Sequence, residues 1–256
     1  MSKFAISQGF PFSLIIFLNP EPTKIFLFLK RIKINIPIAL SYYIVSLIGY
    51  QKKGTLRLKM EELKQEFKSL MTKMERYQEE YKKKLLFLGF INKYLNKKNS
   101  KLIILGGFAV QFYTAGEYLT RDVDIACDNK DTLQDIFNAL QFKQVGRHYF
   151  SDELNLAIEI PTSTIAQAQQ ERLKIIEIEG YKVLILGIED IIIDRLCAFT
   201  HWQSLEDGRL AKEMLFLHFD KIDWQYLAAI AKTEHVDSNL QNLKTEIEKQ
   251  RDKIGN

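Results

Sequence analysis

Large apolar residues recur every three or four positions over residues 60–97, with glutamates and lysines filling the positions between them. This spacing predicts an amphipathic helix, because residues three and four apart lie on the same face. We expect one long helix here, packed by its apolar face on the domain that follows it.

After residue 100 the pattern changes to short apolar runs that are separated by turn residues, which is typical of strands mixed with helices. Strands are predicted at 101–105, 123–127, 144–150, 154–160, 173–178 and 182–186. Helices are predicted at 108–114, 131–140, 188–202, 205–218, 223–232 and 237–253. The first of these helices follows a glycine turn, and the last four form a continuous helical region.

The composition excludes several classes of protein. With 256 residues, 46% of them hydrophobic, the chain is neither a collagen nor a wholly disordered protein. Its two cysteines are too few for a disulfide scaffold, so a reducing, cytoplasmic location is expected. The histidines show no metal-ligand spacing, and no Walker A loop or nucleophile-elbow serine is present, so zinc, P-loop and serine-hydrolase chemistry is not indicated.

The charge is concentrated in residues 1–59. This segment has nine Lys and Arg against one Glu, a net charge of +8, so the overall +4 leaves −4 for the remainder. Within it, residues 34–51 are uncharged and as a helix would span ~27 Å, the lower limit for crossing a membrane. Three interpretations stay open: a start codon assigned too early, with Met60 the true start; a membrane anchor; or a genuine folded or partner-binding extension.

Two aspartates, one directly before the predicted strand at 123–127 and one within it, lie on the same face. Side chains alternate along a strand, so Asp122 and Asp124 lie on the same side with Cα atoms ~7 Å apart. Neighbouring like charges are unfavourable unless a cation lies between them. Such a carboxylate pair suits a hard divalent cation such as Mg²⁺ that also binds phosphate oxygens.

A phosphate-binding turn is predicted just upstream. The strand at 101–105 ends at Gly106-Gly107 and leads directly into a helix. The N–H groups and positive end of a helix N-terminus attract phosphate. A phosphate site beside a metal-binding carboxylate pair indicates nucleotide chemistry.

A third carboxylate is predicted on the strand at 154–160. Its large apolar residues alternate, which places Glu159 on the opposite face. There it would bind a second metal ion or accept a proton from an acceptor hydroxyl.

Gly106-Gly107, then Asp122-x-Asp124, then Glu159 on a later strand resembles the nucleotidyltransferase superfamily, whose fold is that of DNA polymerase beta. More narrowly, the chain is similar to small prokaryotic proteins related to the abortive-infection (AbiEii-type) toxins. The similarity covers roughly residues 100–215 and includes a later stretch, 188–211, in which that group carries a basic residue followed by an aspartate.

The resemblance implies an α/β (α+β) fold, with a small mixed sheet, an N-terminal helix and a C-terminal helical bundle. The expected divisions are 1–59, a hydrophobic basic segment; 60–98, a helical arm; 99–187, the nucleotidyltransferase core; and 188–256, a helical region.

The resemblance also implies roles for individual residues. Nucleotide binding is expected of Gly106, Gly107 and Thr120. Metal binding by Mg²⁺ (or Mn²⁺) is expected of Asp122, Asp124 and Glu159, and these three are also the expected catalytic carboxylates.

Arg195 and Asp207 complete the expected catalytic set. Arg195 lies at the edge of the apolar stripe of the helix at 188–202, where a guanidinium can neutralise charge on a transferring phosphoryl group. Asp207 would orient Arg195 or contact the acceptor. The alternative is a plain ion pair between two helices.

The expected reaction is transfer of a nucleoside monophosphate from an NTP to a hydroxyl of an RNA end such as tRNA, a protein or a small molecule. A role in a toxin–antitoxin pair, with a cognate partner, is one expectation. The alternative is a catalytically degenerate binding protein or antitoxin that retains the fold. A membrane partner is expected only if 34–51 is a genuine anchor.

Overall fold

The structure, a computed structural model, describes residues 60–254; the segment 1–59, with the candidate anchor at 34–51, lies outside the described residues. Among the described residues, those from Leu63 onward form one compact unit. The strands are β1 Leu102–Leu105, β2 Asp122–Cys127, β3 Lys143–Val145, β4 His148–Ser151, β5 Leu156–Thr162, β6 Lys174–Ile178 and β7 Tyr181–Ile185. The helices are α1 over the described residues 60–74, α2 Glu80–Asn96, α3 Gly106–Tyr113, α4 Lys130–Ala139, α5 Gln167–Gln170, α6 Ile188–Trp202, α7 Leu205–His218, α8 Trp224–Thr233 and α9 Asp237–Ile254.

All seven strands form one mixed sheet, in the order β3-β4-β5-β2-β1-β7-β6. The central strand β2 pairs antiparallel with β1 and parallel with β5, while β1 pairs parallel with β7. The residue that follows β1 therefore lies at the same sheet edge as the start of β2.

The long helix predicted over 60–97 is wrong, because the chain breaks at residues 75–79 into α1 and α2. The break allows the chain to fold back, so that the ring of Phe67 lies 6.1 Å from that of Phe87 and 6.0 Å from that of Phe90. In a continuous helix Phe67 and Phe87 would be ~30 Å apart. Burial of these aromatic rings outweighs the local preference for an unbroken helix.

The single strand predicted at 144–150 is also wrong, since β3 and β4 form a hairpin there. Val145 pairs with His148, which leaves a two-residue turn, Gly146-Arg147. Gly146 has a φ of +60°, the conformation that a type II′ turn requires of its first residue. The alternation of the sequence continues through this turn and hides it.

One hydrophobic cluster joins the sheet to the helices. Helix α2 packs on β7 and β1, and α3 packs on β2 and α6. The four C-terminal helices occur where the sequence predicts them. A 3₁₀ turn at Phe219–Lys221 connects α7 to α8. The predicted α/β (α+β) class, with a mixed sheet and helices before and after it, is confirmed.

Within residues 60–254, no helix has the length and apolar character needed to cross a membrane.

Candidate active site

The two central strand pairings bring the predicted carboxylates to one place. Asp124 on β2 lies opposite Leu105, the last residue of β1, and opposite Glu159 on β5. Asp122 lies two residues earlier on the same face of β2, where its side chain is exposed. The structure therefore assembles Asp122, Asp124 and Glu159 beside the turn that follows β1.

Gly106 and Asp124 are in close contact. Gly106 has a φ of +54°, and a Cβ atom at this position would lie 2.0 Å from Oδ2 of Asp124. A side chain is excluded by this contact and strained by the backbone conformation. The glycine turn and the carboxylate of Asp124 therefore lie next to each other on one surface of the protein.

The backbone N–H group of Gly107, in the first turn of α3, favours the charged form of the Asp124 carboxylate. Burial raises the pKa of Asp124, and the nearby charges of Asp122 and Glu159 raise it further. The N–H group of Gly107 and the positive charge of Arg195 lower this pKa, without reversing the direction. The carboxylate of Asp124 therefore lies half-buried among like charges, where its charged form is disfavoured.

Thr120 forms a link between the glycine turn and the first carboxylate. Its hydroxyl donates to Oδ1 of Asp122 at 2.8 Å. A Cβ atom at Gly107 would lie 3.3 Å from the same hydroxyl, so this side chain faces the start of α3. Thr120 thereby orients Asp122 and lines the proposed phosphate-binding turn.

Lys84 is a site residue that the sequence analysis missed. Its ammonium group, on α2, donates to the backbone carbonyls of Thr120 at 3.0 Å and of Arg121 at 3.2 Å. Burial lowers the pKa of Lys84, while the negative charge of Asp122 opposes that shift. Within the helical pattern of 60–97 this lysine occupies an ordinary polar position, and only the tertiary fold shows its role.

Replacing Lys84 with Met retains the apolar stem and removes both hydrogen bonds to the approach of β2. We expect Lys84→Met to lower the free energy of unfolding by about 1–2 kcal/mol, because two carbonyl groups lose their donor. Lys83→Met, which breaks an i,i+3 pair with Glu80 on the solvent side, should change it by about 0.5 kcal/mol or less. Urea denaturation of both variants measures the difference, and equal losses would contradict this role for Lys84.

Glu159 has a positive partner. Its Oε1 lies 2.6 Å from Nη2 of Arg147, at the turn between β3 and β4. Its Oε2 lies 3.7 Å from Nδ1 of His148. Arg147 is not evident from the sequence, because the pattern predicts one strand at 144–150 and therefore no turn beside β5.

Arg195 and Asp207 form the ion pair that was the alternative interpretation of these residues. Nη1 of Arg195 lies 2.7 Å from Oδ1 of Asp207, and both side chains are 19% exposed. Nη2 of Arg195 pairs with Asp194 at 2.5 Å, and Ser204, the N-cap of α7, donates to Asp207 at 2.5 Å. The positive charge of the guanidinium is close enough to Asp124 to lower the pKa of that carboxyl.

The donor chemistry of this site fits a hard divalent cation. Carboxylate oxygens are the ligands that Mg²⁺ prefers, and the repulsion that raises the pKa of Asp124 is what a cation would relieve. Over residues 60–254, no group of three or more His, Cys, Asp or Glu side chains already stands in a metal-holding arrangement. Asp122 is turned towards Thr120, and Glu159 is paired with Arg147.

A family model described as nucleotidyltransferase of unknown function (DUF6036) matches residues 83–253. The chain belongs to this family. The match begins beside Lys84 and includes every candidate site residue, so it covers the sheet, α3 and the C-terminal helices of this nucleotidyltransferase family member. The predicted superfamily resemblance is confirmed, and the narrower likeness to AbiEii-type proteins stays a prediction.

Solved structures resemble this family member at low identity. An antigenic nucleotidyltransferase-like protein from Paracoccidioides brasiliensis is 16% identical, with a TM-score of 0.49 over 66% of this chain and 89% of that one. The antibiotic-resistance factor ANT(2'')-Ia is 18% identical, with a TM-score of 0.35 over 57% of this chain and 91% of that one. JHP933 from Helicobacter pylori is 15% identical, with a TM-score of 0.32 over 67% of this chain and 97% of that one. No curated protein matches the chain significantly in sequence.

Proposed function

We propose that this family member transfers a nucleoside monophosphate from an NTP to an acceptor hydroxyl and releases pyrophosphate. The observation that carries the proposal is the contact between Gly106 and the carboxylate of Asp124. This contact supports a site in which the N-terminus of α3 binds a polyphosphate and the carboxylates of β2 bind a cation. The two ligands would then lie next to each other.

The glycine turn binds the nucleotide in this proposal. The first turn of a helix has N–H groups without partners inside the helix, and its end carries partial positive charge. Gly106 permits polyphosphate to approach the backbone closely, since no Cβ atom intervenes. Gly107 and Thr120 line the same approach.

Asp122, Asp124 and Glu159 would hold Mg²⁺ (or Mn²⁺), which supplies charge neutralisation for the polyphosphate when it is bound. In the reaction, the acceptor oxygen forms a bond to the α-phosphorus, and the bond from that phosphorus to the oxygen bridging to the β-phosphate breaks. Alternatively, when it is bound neither to a metal ion nor to Arg147, Glu159 would accept the proton of the hydroxyl. The leaving pyrophosphate takes the electron pair of the broken bond.

Arg195 is proposed to stabilise the charge that develops on the transferring group. We expect Arg195→Ala to lower transfer at least about tenfold, ~1.4 kcal/mol of barrier, with a smaller effect on stability. Asp207→Asn serves as the matched variant, because it weakens the same ion pair and leaves the guanidinium in place. Rates and thermal melts of both variants decide: a destabilised but fully active Arg195→Ala would reduce Arg195 and Asp207 to a structural pair.

The reaction is tested by incubating the full chain with each labelled NTP, Mg²⁺ and a cell extract, and identifying which molecule becomes labelled. Labelling of RNA ends, of a protein or of a small molecule assigns the acceptor class. Absence of label from every NTP would contradict the proposed transfer.

A second candidate is a binding protein that has the fold without the reaction. The pairing of Glu159 with Arg147 favours it, because in this arrangement a guanidinium, and not a metal ion, faces the carboxylate. This candidate predicts NTP binding by equilibrium dialysis with no transfer of label, whereas the enzyme gives both.

A further inference from the structure

The hairpin turn Gly146-Arg147 is attached to β5 beside Glu159. The carbonyl of Arg147 accepts a hydrogen bond from the N–H of Ile160 at 3.2 Å, and His148 pairs across the ladder with Glu159. The backbone of Arg147 is therefore fixed next to Glu159. Its side chain is 64% exposed, in contrast to 15% for that of Glu159.

The guanidinium of Arg147 neutralises a carboxylate in a crowded negative site. Glu159 raises the pKa of its strand neighbour Asp124, so its charge acts on the rest of the cluster. Nη2 of Arg147 lies 2.6 Å from Oε1 of Glu159, in direct ion-pair contact. Of the described residues, Glu159 is the one acidic group in ion-pair contact with Arg147.

A guanidinium and a divalent cation exclude one another at the same carboxylate oxygen. Both need the lone pairs of Oε1, and two positive charges within a few ångströms repel each other. A largely exposed arginine contributes little to stability through its ion pair, so it is released easily when a stronger ligand arrives. The fixed backbone and exposed side chain of Arg147 suit such an exchange.

Resting on the proposed function, we propose that Arg147 occupies the cation position at Glu159 in the cation-free protein and competes with the divalent cation for it. Arg147 then sets the cation concentration at which Glu159 joins the site. It is a positioning residue, because it acts on the reaction through Glu159.

Mn²⁺ binding to the full chain, followed by the electron paramagnetic resonance signal of free Mn²⁺, tests this competition without any turnover. We expect Arg147→Ala to bind Mn²⁺ about two- to fivefold more tightly, as fits the loss of one exposed competing ion pair. Lys143→Ala is the matched control, since it breaks a pair with Asp152 on the same hairpin and should leave the affinity unchanged. An unchanged or weaker affinity in Arg147→Ala overturns the proposal.

Two further variants separate this proposal from the proposed function. In a Glu159→Gln background, Arg147→Ala should no longer tighten Mn²⁺ binding, because the contested carboxylate is gone. Persistent tightening there overturns the competition at Glu159. Asp124→Asn should weaken Mn²⁺ binding; if it does so while Arg147→Ala has no effect, only the role of Arg147 is wrong, and if it does not, the metal site of the proposed function is wrong as well.

Discussion

Replacing both aspartates of β2 with asparagine, Asp122→Asn with Asp124→Asn, should reduce transfer of label at least about a thousandfold, ~4 kcal/mol of barrier. Asparagine retains the shape and removes the charge on which the proposed cation site depends. The far-ultraviolet circular dichroism spectrum should be unchanged, since both side chains project from the polar face of the strand. Asp135→Asn with Asp152→Asn, two exposed aspartates outside the site, is the control.

The same double variant should be more stable than the native chain at neutral pH. The pKa of Asp124 is raised in the folded state, so the folded protein binds a proton there more tightly than the unfolded chain does. Stability from this group is present at low pH and is lost as the pH rises through the raised pKa. Urea denaturation should therefore show a higher free energy of unfolding for the double variant at neutral pH, and the difference should shrink as the pH falls to the usual pKa range of carboxyl groups. Full labelling by the double variant, or a loss of stability, would contradict the role of Asp122 and Asp124.

Among replacements of a glycine by alanine at this site, Gly106→Ala should cause the largest loss of stability. The new Cβ atom would lie 2.0 Å from Oδ2 of Asp124, so the carboxylate must move away from the turn and from the N–H group of Gly107 that favours its charge. Together with the cost of a positive φ, we expect a loss of about 3 kcal/mol or more and almost no transfer activity.

Gly180→Ala is the matched control for that variant. Gly180 has a φ of +78°, with nothing within 4 Å of an added Cβ atom, so it carries the backbone strain without the collision. We expect a loss of about 1–2 kcal/mol and full activity. Equal losses at the two glycines, measured by urea denaturation, would show that the contact with Asp124 is not what requires Gly106.

The face that carries Asp122, Asp124 and Glu159 can be predicted from the sequence because it depends only on the alternation of side chains along each strand. Alternation along β2 and β5 places Asp124 and Glu159 away from the apolar core, and the glycine turn marks the start of α3. The sequence does not contain the register that sets Asp124 opposite both Leu105 and Glu159, since that depends on which strands pair.

Lys84 and Arg147 were missed for a related reason. Each reaches the site from an element that is distant in sequence, and each lies in a pattern whose local interpretation is ordinary. The break between α1 and α2 was missed because the apolar period continues through it, and only the packing of Phe67 on Phe87 requires the chain to reverse. Tertiary contacts of this kind overrule local periodicity.

The parallel pairing of β1 with β7 has a consequence for biosynthesis. Ile103 pairs with Leu184, so one edge of the strand that leads into the glycine turn stays unpaired until most of the core has emerged from the ribosome. An open apolar edge is a template for pairing with other chains, and contacts between residues distant in sequence form slowly. The nascent chain therefore carries an open strand edge in the interval between synthesis of β1 and synthesis of β7, and a truncated product that ends within this interval would retain that edge.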